Sequence, residues 1–375
     1  MKKQIWILVL IVAVIIVGLI IFLPKSKNSA DKESIKIGAS LPLTGPVSLP
    51  GTWALEGMKL AVEKINSQGG VNGRKLELVV EDDVCNAKTG TDTTNKLVNV
   101  DNVKLLVVYC GAVMSSAVNV IDGKALTFSI SIRTEDLENK YPFLFNLTPS
   151  PEKEMSILSK NIYDSGIKKV AIFHQSDFFG ETYKNKFKKV FNDLGGEITV
   201  EGTLGNLANP DFKTDLIKAR EKGTQAIFNS FNPAQFSVIL KQAKELGLNV
   251  KFFSSWNAEN KLLIDTAGNL TEGIIYTYSF KKETDDNNYA IFEKDYKDRY
   301  SNIPETNASN GYDGVMIIAK VVEKCNEDVQ CLIKETNRIE NYQGVSGIIT
   351  FKNGVADKQT YLKTIKNGQF VPLEN

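Results

Sequence analysis

The chain has little histidine, little cysteine and no surplus of either charge. Its 375 residues include one His and four Cys, and 45 Lys+Arg against 44 Asp+Glu leave a net charge of +1. A lone histidine, His174, cannot assemble a multi-histidine metal centre. The missing basic excess argues against nucleic acid as the main partner, because phosphate neutralisation needs a cationic surface. No G-x-G-x-x-G follows an apolar run and no G-K-[ST] occurs, so nucleotide phosphates lack their glycine cradle. The nucleophile elbow G-x-S-x-G is also absent, since Gly344-Val345-Ser346-Gly347 has the wrong spacing. Glu81-Asp82-Asp83 reads as a solvated strand end or helix-cap cluster before it reads as a metal or acid/base site. These absences leave no constellation for catalysis, and neither an enzyme nor a cofactor is expected.

What the chain does have is one long hydrophobic run. Residues 5–23 are apolar for 19 positions, interrupted only by Gly18, with Lys2 and Lys3 before and Lys25 and Lys27 after. As a helix this run spans ~28 Å, close to the ~30 Å hydrocarbon core of a bilayer. A secretory signal has a shorter apolar region and a small-residue cleavage site, which Asn28-Ser29-Ala30 resembles only weakly. An N-terminal transmembrane helix is therefore expected, with a cleaved signal as the alternative. Either leaves the remainder outside the cytoplasm, tethered to the membrane or secreted. No acid precedes Asp31, so removing the four lysines from the net charge of +1 leaves the exported part at −3. Cysteine usage agrees with export. Cys85 with Cys110 and Cys325 with Cys331 read as two disulfides, since no C-x-x-C or zinc-type spacing occurs. On the chain-entropy model the first bridge contributes about 3 kcal/mol.

After a polar tether, short apolar runs alternate with amphipathic stretches. Runs at 35–41, 76–81, 105–109, 125–129 and 143–147 read as strands of a first parallel sheet. Runs at 170–174, 198–204, 226–231, 250–254 and 274–278 read as a second. Helices are expected between them, for example over 53–66, 182–194, 210–221 and 234–246. Two βα series imply an α/β chain with two doubly wound parallel-sheet lobes, parted at Thr148-Pro149-Ser150-Pro151. A helical section over 289–334 and late strands near 345–351 and 359–365 imply more than one crossing between lobes, which suits a hinge.

Several segments in order resemble the leucine/isoleucine/valine-binding family, the type I periplasmic binding proteins of ABC importers. They are Leu43-Thr44-Gly45-Pro46, the stretch GMKLAVEKINSQGGVNG at 57–73, EDDVC at 81–85, Lys96-Leu97-Val98 and Cys110. Phe179-Gly180, Ala267-Gly268, Glu272-Gly273, Tyr312-Asp313 and YQGVSGIITF at 342–351 continue the match. The resemblance implies two lobes on a three-strand hinge that trap a small polar ligand, with permease subunits as partners. The expected division is 1–27 anchor or signal, 28–34 tether, 35–148 with 280–343 as lobe 1, and 149–279 with 344–375 as lobe 2. A sensory or receptor ectodomain of the same fold is the alternative function.

Carried over by position, the resemblance implies a ligand carboxylate near Gly111, where backbone donors remain but the family's hydroxyl is lost. Ser131 to Thr134 corresponds to the next binding segment, with Thr134 or Arg133 contacting the anion. Phe179 and Phe231 replace family tyrosines. Trp256 stands where the family's ammonium-binding acid belongs, so an aromatic wall of Trp256, Phe179 and Phe231 is expected. Asp177 and Glu259 are the nearby acids able to substitute for the missing one.

Overall fold

A computed structural model describes residues 33–131, 137–204, 210–279 and 287–374. The first five strands, β1 (Ile35–Leu41), β2 (Leu76–Asp82), β3 (Leu105–Val108), β4 (Leu126–Ser129) and β5 (Leu144–Asn146), pair in parallel in the order β2-β1-β3-β4-β5. All residues of β3 and β4 are buried, as parallel strands covered on both faces require. The next five, β6 (Lys169–Gln175), β7 (Glu197–Leu204), β8 (Ala226–Ser230), β9 (Lys251–Ser254) and β10 (Ile275–Tyr278), repeat the arrangement as β7-β6-β8-β9-β10. These are the two expected doubly wound lobes. Among the described residues no helix is long and apolar enough to cross a membrane. The run at 5–23 and the tether as far as residue 32 lie outside the described residues.

Helix starts differ from the sequence reading for local reasons. The first helix runs Ser48–Ser67, because Pro50 sits within its first turn, where a missing N–H removes no helical bond. The helix expected from 182 begins a turn earlier, as Phe178–Asp193, because the Asp177 carboxylate accepts the Gly180 N–H at 2.8 Å and caps it. In lobe 1, Ser48–Ser67 packs closely on Thr306–Cys325. An added Cβ at Gly57 would lie 1.9 Å from the Ala308 carbonyl oxygen, and one at Gly311 would lie 2.4 Å from that of Ala54. Backbone thus meets backbone, and only glycine fits at either contact.

The last strands correct the expected division of the chain. After the hairpin β11 (Tyr342–Gly344) and β12 (Gly347–Ile349), β13 (Phe351–Lys352) and β14 (Val355–Ala356) join the first sheet, β14 beside β5. Phe351 packs against Phe145 and Phe128, with ring centroids 5.2 and 6.1 Å away, which places residues 351–356 with lobe 1 rather than lobe 2. Only β15 (Tyr361–Lys366) and β16 (Gln369–Pro372) belong to the second sheet, as its antiparallel edge. The chain therefore passes between lobes after β5, after β10 and after β14.

A buried ionic cluster fixes the third crossing. The Asp313 carboxylate accepts the N–H groups of Val345 at 2.9 Å and Ser346 at 2.8 Å, and the Ser346 hydroxyl. Lys358, fully buried, donates to Asn310 Oδ1 at 2.9 Å and Ser346 Oγ at 2.6 Å. Burial draws the Lys358 ammonium down to about 8 against the pull of Asp313. From lobe 2, Lys153 donates to Asp357 and to the Lys358 carbonyl, both at 2.8 Å. We predict that Lys358→Met, which strands a buried carboxylate, lowers stability by about 3–5 kcal/mol in urea unfolding. A loss below 1 kcal/mol would remove the cluster as an anchor of this crossing.

Candidate functional site

The two sheets turn their carboxyl ends toward one another, and a cavity of about 370 Å³ lies between them. Its lobe 1 wall comes from the loop after β1, the start of Ser48–Ser67 and the end of β3. Its lobe 2 wall follows β6, β8 and β9. In both sheets the first strand lies between the second and third, so winding reverses there and leaves a crevice.

Hydrogen bonds hold the lobe 1 wall in place. Asp82 accepts the N–H groups of Leu43 at 2.9 Å and Val84 at 3.0 Å and the Thr44 hydroxyl at 2.6 Å, and these bonds keep its carboxyl below the usual range despite burial. Buried Asp83 accepts Ser40 Oγ at 2.9 Å and the Cys85 N–H at 2.8 Å. The acidic triplet is thus absorbed in loop construction, with Glu81 paired to Lys96. Val84 and Cys85 are held at φ of 53° and 54°, in the left-handed region that β-branched residues rarely enter. The Cys85–Cys110 disulfide, with Cα atoms 5.5 Å apart, ties this loop to the residue that begins the helix Gly111–Ile121. Cys325–Cys331 is also present, as a staple between two helices remote from the cavity.

Gly111 and Ala112 reach the cavity at the start of that helix, and no side chain caps it. Its first N–H groups are therefore available to an anion. In lobe 2 the corresponding helix starts are already occupied. Asp177 caps Phe178–Asp193, and Asn232 Oδ1 accepts the Ala234 N–H at 3.2 Å. Asp177 lines the cavity but also accepts Gln175 Nε2 at 2.6 Å, and burial raises its carboxyl above the ordinary value. Ser131 reaches the cavity, and so does Tyr109, whose hydroxyl donates to Asn307 Oδ1 at 3.1 Å. Arg133 and Thr134 lie outside the described residues.

Trp256 and Phe179 line the lobe 2 wall edge to face, with centroids 5.8 Å apart, and Trp53 faces the cavity from lobe 1. Phe231 does not join them. It is buried against Phe212 at 5.0 Å in the lobe 2 core, and its carbonyl accepts Asn257 Nδ2 at 2.7 Å. Alternation along the strand end sends its side chain to the other face, which position alone could not reveal. His174 is likewise buried away from the cavity, 3.4 Å from Glu181.

Behind Trp256 lies a polar chain: the indole N–H donates to the Tyr183 hydroxyl at 3.0 Å, and that hydroxyl donates to Glu154. Trp256 therefore presents carbon, not a donor, to the cavity. Burial raises the Glu154 carboxyl to about 7. Besides Asp177, the acids that reach the cavity are Glu259, on lobe 2, and Glu305, on lobe 1. Glu259 pairs with Lys363 at 2.6 Å and accepts the Tyr276 hydroxyl at 2.8 Å. Glu305 went unnoticed in the sequence; the one signal for it is its place immediately before the helix Thr306–Cys325.

The sequence model of the periplasmic binding protein family matches residues 34–369. The chain belongs to that family. This binding protein is 28% identical over 328 residues to the "Leucine-, isoleucine-, valine-, threonine-, and alanine-binding protein" of Pseudomonas aeruginosa, covering 86% of this chain and 87% of that one. Its fold matches the branched-chain amino acid transporter substrate binding protein of Streptococcus pneumoniae, solved with isoleucine (TM-score 0.80, 22% identity, 90% of this chain and 97% of that one). It also matches an ABC transporter solute binding protein of R. palustris, solved with benzoate (TM-score 0.81, 19% identity, 91% and 95%). The relatives of this binding protein are solute-binding proteins of ABC transporters, not enzymes.

The buried carboxyl behind Trp256 sets a pH dependence. Glu154 binds its proton more tightly in the folded chain, from an ordinary 4.5 up to about 7, so its stabilisation is complete below pH 4.5 and is lost as pH rises through about 7. We predict that Glu154→Gln, which stays neutral, raises the thermal midpoint relative to the parent at pH 8 by the equivalent of about 1–3 kcal/mol and changes it little at pH 4.5. Equal midpoint differences at both pH values would refute the assignment.

Proposed function

We propose that this chain is the solute-binding subunit of an ABC importer, tethered outside the cell membrane through residues 5–23. It captures one small amino-acid-like or carboxylate ligand as the lobes close, and presents the closed form to permease subunits. The observation that carries this reading is the cavity on the seam of two lobes, with an uncapped helix start on one wall and carbon faces on the other. Leu49 and Leu262, 49% and 40% exposed, stand at this cavity on opposite lobes, which is apolar surface that closure would bury. The ligand carboxylate meets the N–H groups of Gly111 and Ala112 and the Ser131 hydroxyl. Thr134 or Arg133 adds a further contact, as the family correspondence suggests. Trp256 and Phe179 receive the apolar body of the ligand. The isoleucine and benzoate bound by structural relatives support this range of ligands.

Calorimetry with an amino-acid and organic-acid panel tests the reading. One ligand per chain is expected, and Trp256→Ala should weaken it by about 2 kcal/mol or more, as loss of a buried aromatic anchor does. Failure to bind any member would sink the proposal.

A further inference from the structure

We infer that Tyr183 and Glu154, which do not themselves reach the cavity, are positioning residues for its ligand: together they hold the Trp256 ring with carbon outward, and so select an apolar ligand body. The inference rests on the cavity being the ligand site and adds what decides the chemistry of its lobe 2 wall. Trp256 opens a single 3-10 turn, Trp256–Ala258, too short to fix the ring by itself. Its one polar side-chain atom is engaged behind the wall, where the indole N–H donates to the Tyr183 hydroxyl at 3.0 Å and that hydroxyl donates to Glu154. Rings back the arrangement, with Phe179 4.7 Å from Tyr183 and 5.8 Å from Trp256, centroid to centroid. The far end is anchored, because Glu154 is fully buried on the helix Pro151–Asp164, whose Met155, Leu158 and Ile162 lie in the lobe 2 core. A buried carboxyl without an ion pair is costly, and an apolar side chain would fill the place without that cost. Its presence therefore points to a polar task, and Tyr183 is the side chain to which it is bonded.

Two states of Glu154 act on this chain of bonds. Its Oε1 is buried and meets no hydrogen-bond partner, which assigns the proton of the neutral carboxyl to that atom and leaves the other oxygen to Tyr183. The polar groups facing Glu154 are the Tyr183 hydroxyl, on Phe178–Asp193, and the Thr277 hydroxyl, on β10. Lys186, on the same helix as Tyr183, pairs with Glu152 at 3.6 Å rather than with Glu154. Burial pushes the Tyr183 hydroxyl well above its ordinary value, so it stays a donor while Glu154 titrates. As the carboxyl ionises, Tyr183 comes to donate to a charged oxygen. Charge-assisted bonds are stronger, and each bond in a chain polarises the next, so the indole N–H bond tightens as well. Without the Tyr183 hydroxyl the indole N–H has no acceptor behind the wall, and turning toward the water of the cavity restores one. The wall then presents a donor, which an apolar ligand body must desolvate.

Nuclear magnetic resonance on the full chain in detergent, labelled with nitrogen-15 at the indoles of Trp6, Trp53 and Trp256, tests the positioning without any ligand. The Trp256 signal, assigned by its loss in Trp256→Phe, should move downfield as pH rises, with a midpoint near 7. Glu154→Gln, whose amide oxygen still accepts from Tyr183, should keep the N–H protected from solvent exchange but abolish the titration. Tyr183→Phe should abolish both. A Trp256 signal that is flat between pH 5 and 9, or a titration that survives in Glu154→Gln, overturns the inference. Should Tyr183→Phe fail to fold, the titration in the unaltered chain and in Glu154→Gln still decides.

Calorimetry reads the consequence for selection, with 4-methylpentanoate and its carbonyl isostere 4-oxopentanoate added to the acid panel. The unaltered chain should prefer the first, and Tyr183→Phe should narrow that preference at least about fivefold. An unchanged preference in Tyr183→Phe overturns the selective role. No binding by any member of the panel sinks the reading of the cavity, while the resonance, which needs no ligand, still decides whether Tyr183 and Glu154 hold Trp256.

Discussion

The handedness of parallel β-structure governs the rest of this molecule. Parallel strands joined by right-handed crossovers deliver all their carboxyl ends to one edge of a sheet. Because β1 lies between β2 and β3, and β6 between β7 and β8, winding reverses beside the first strand of each lobe and each sheet edge opens a crevice. Three crossings hold the two crevices face to face. The buried Asp313–Lys358 cluster, tied to lobe 2 through Lys153, fixes the last of them to the body of lobe 1.

The two walls of the cleft are built on different terms. Lobe 1 supplies a rigid electrostatic surface. Asp82 and Asp83 are consumed in holding the loop around Val84 and Cys85, and the disulfide carries that rigidity to the uncapped start of Gly111–Ile121. Leaving N–H groups unmet costs stability, and neighbouring hydrogen bonds offset that cost. Lobe 2 spends its helix starts on its own caps, Asp177 and Asn232, and offers carbon instead, with the Trp256 indole N–H turned back to Tyr183. Acidic side chains reach the cavity from both lobes, Asp177 and Glu259 from lobe 2 and Glu305 from lobe 1.

Much of the fold was legible because buried parallel strands announce themselves. The run at 105–109 is apolar without alternation, that at 226–231 is apolar but for Asn229 and Ser230, and amphipathic stretches flank both, so period and length located both sheets. The late strands were harder. β13 and β14 are two residues each, too short for a periodic signal, and it is the Phe351 contact with Phe128 and Phe145 that assigns them to lobe 1. Family correspondence named Gly111, Ser131, Phe179 and Trp256, and all four reach the cavity, while Phe231 shares its strand-end position but not its direction. Glu305 had no such correspondence to reveal it.

By itself the sequence determined the class of the chain: two βα series, an apolar N-terminal run, four cysteines in two pairs and no catalytic constellation. These properties are local, encoded in period, composition and spacing along the backbone. Only the tertiary structure decided which side chains share the cleft. Gly111, Trp256 and Glu305 are far apart in sequence and meet because the chain crosses between lobes three times. That Glu259 is paired with Lys363 depends on through-space distance, which no linear pattern contains.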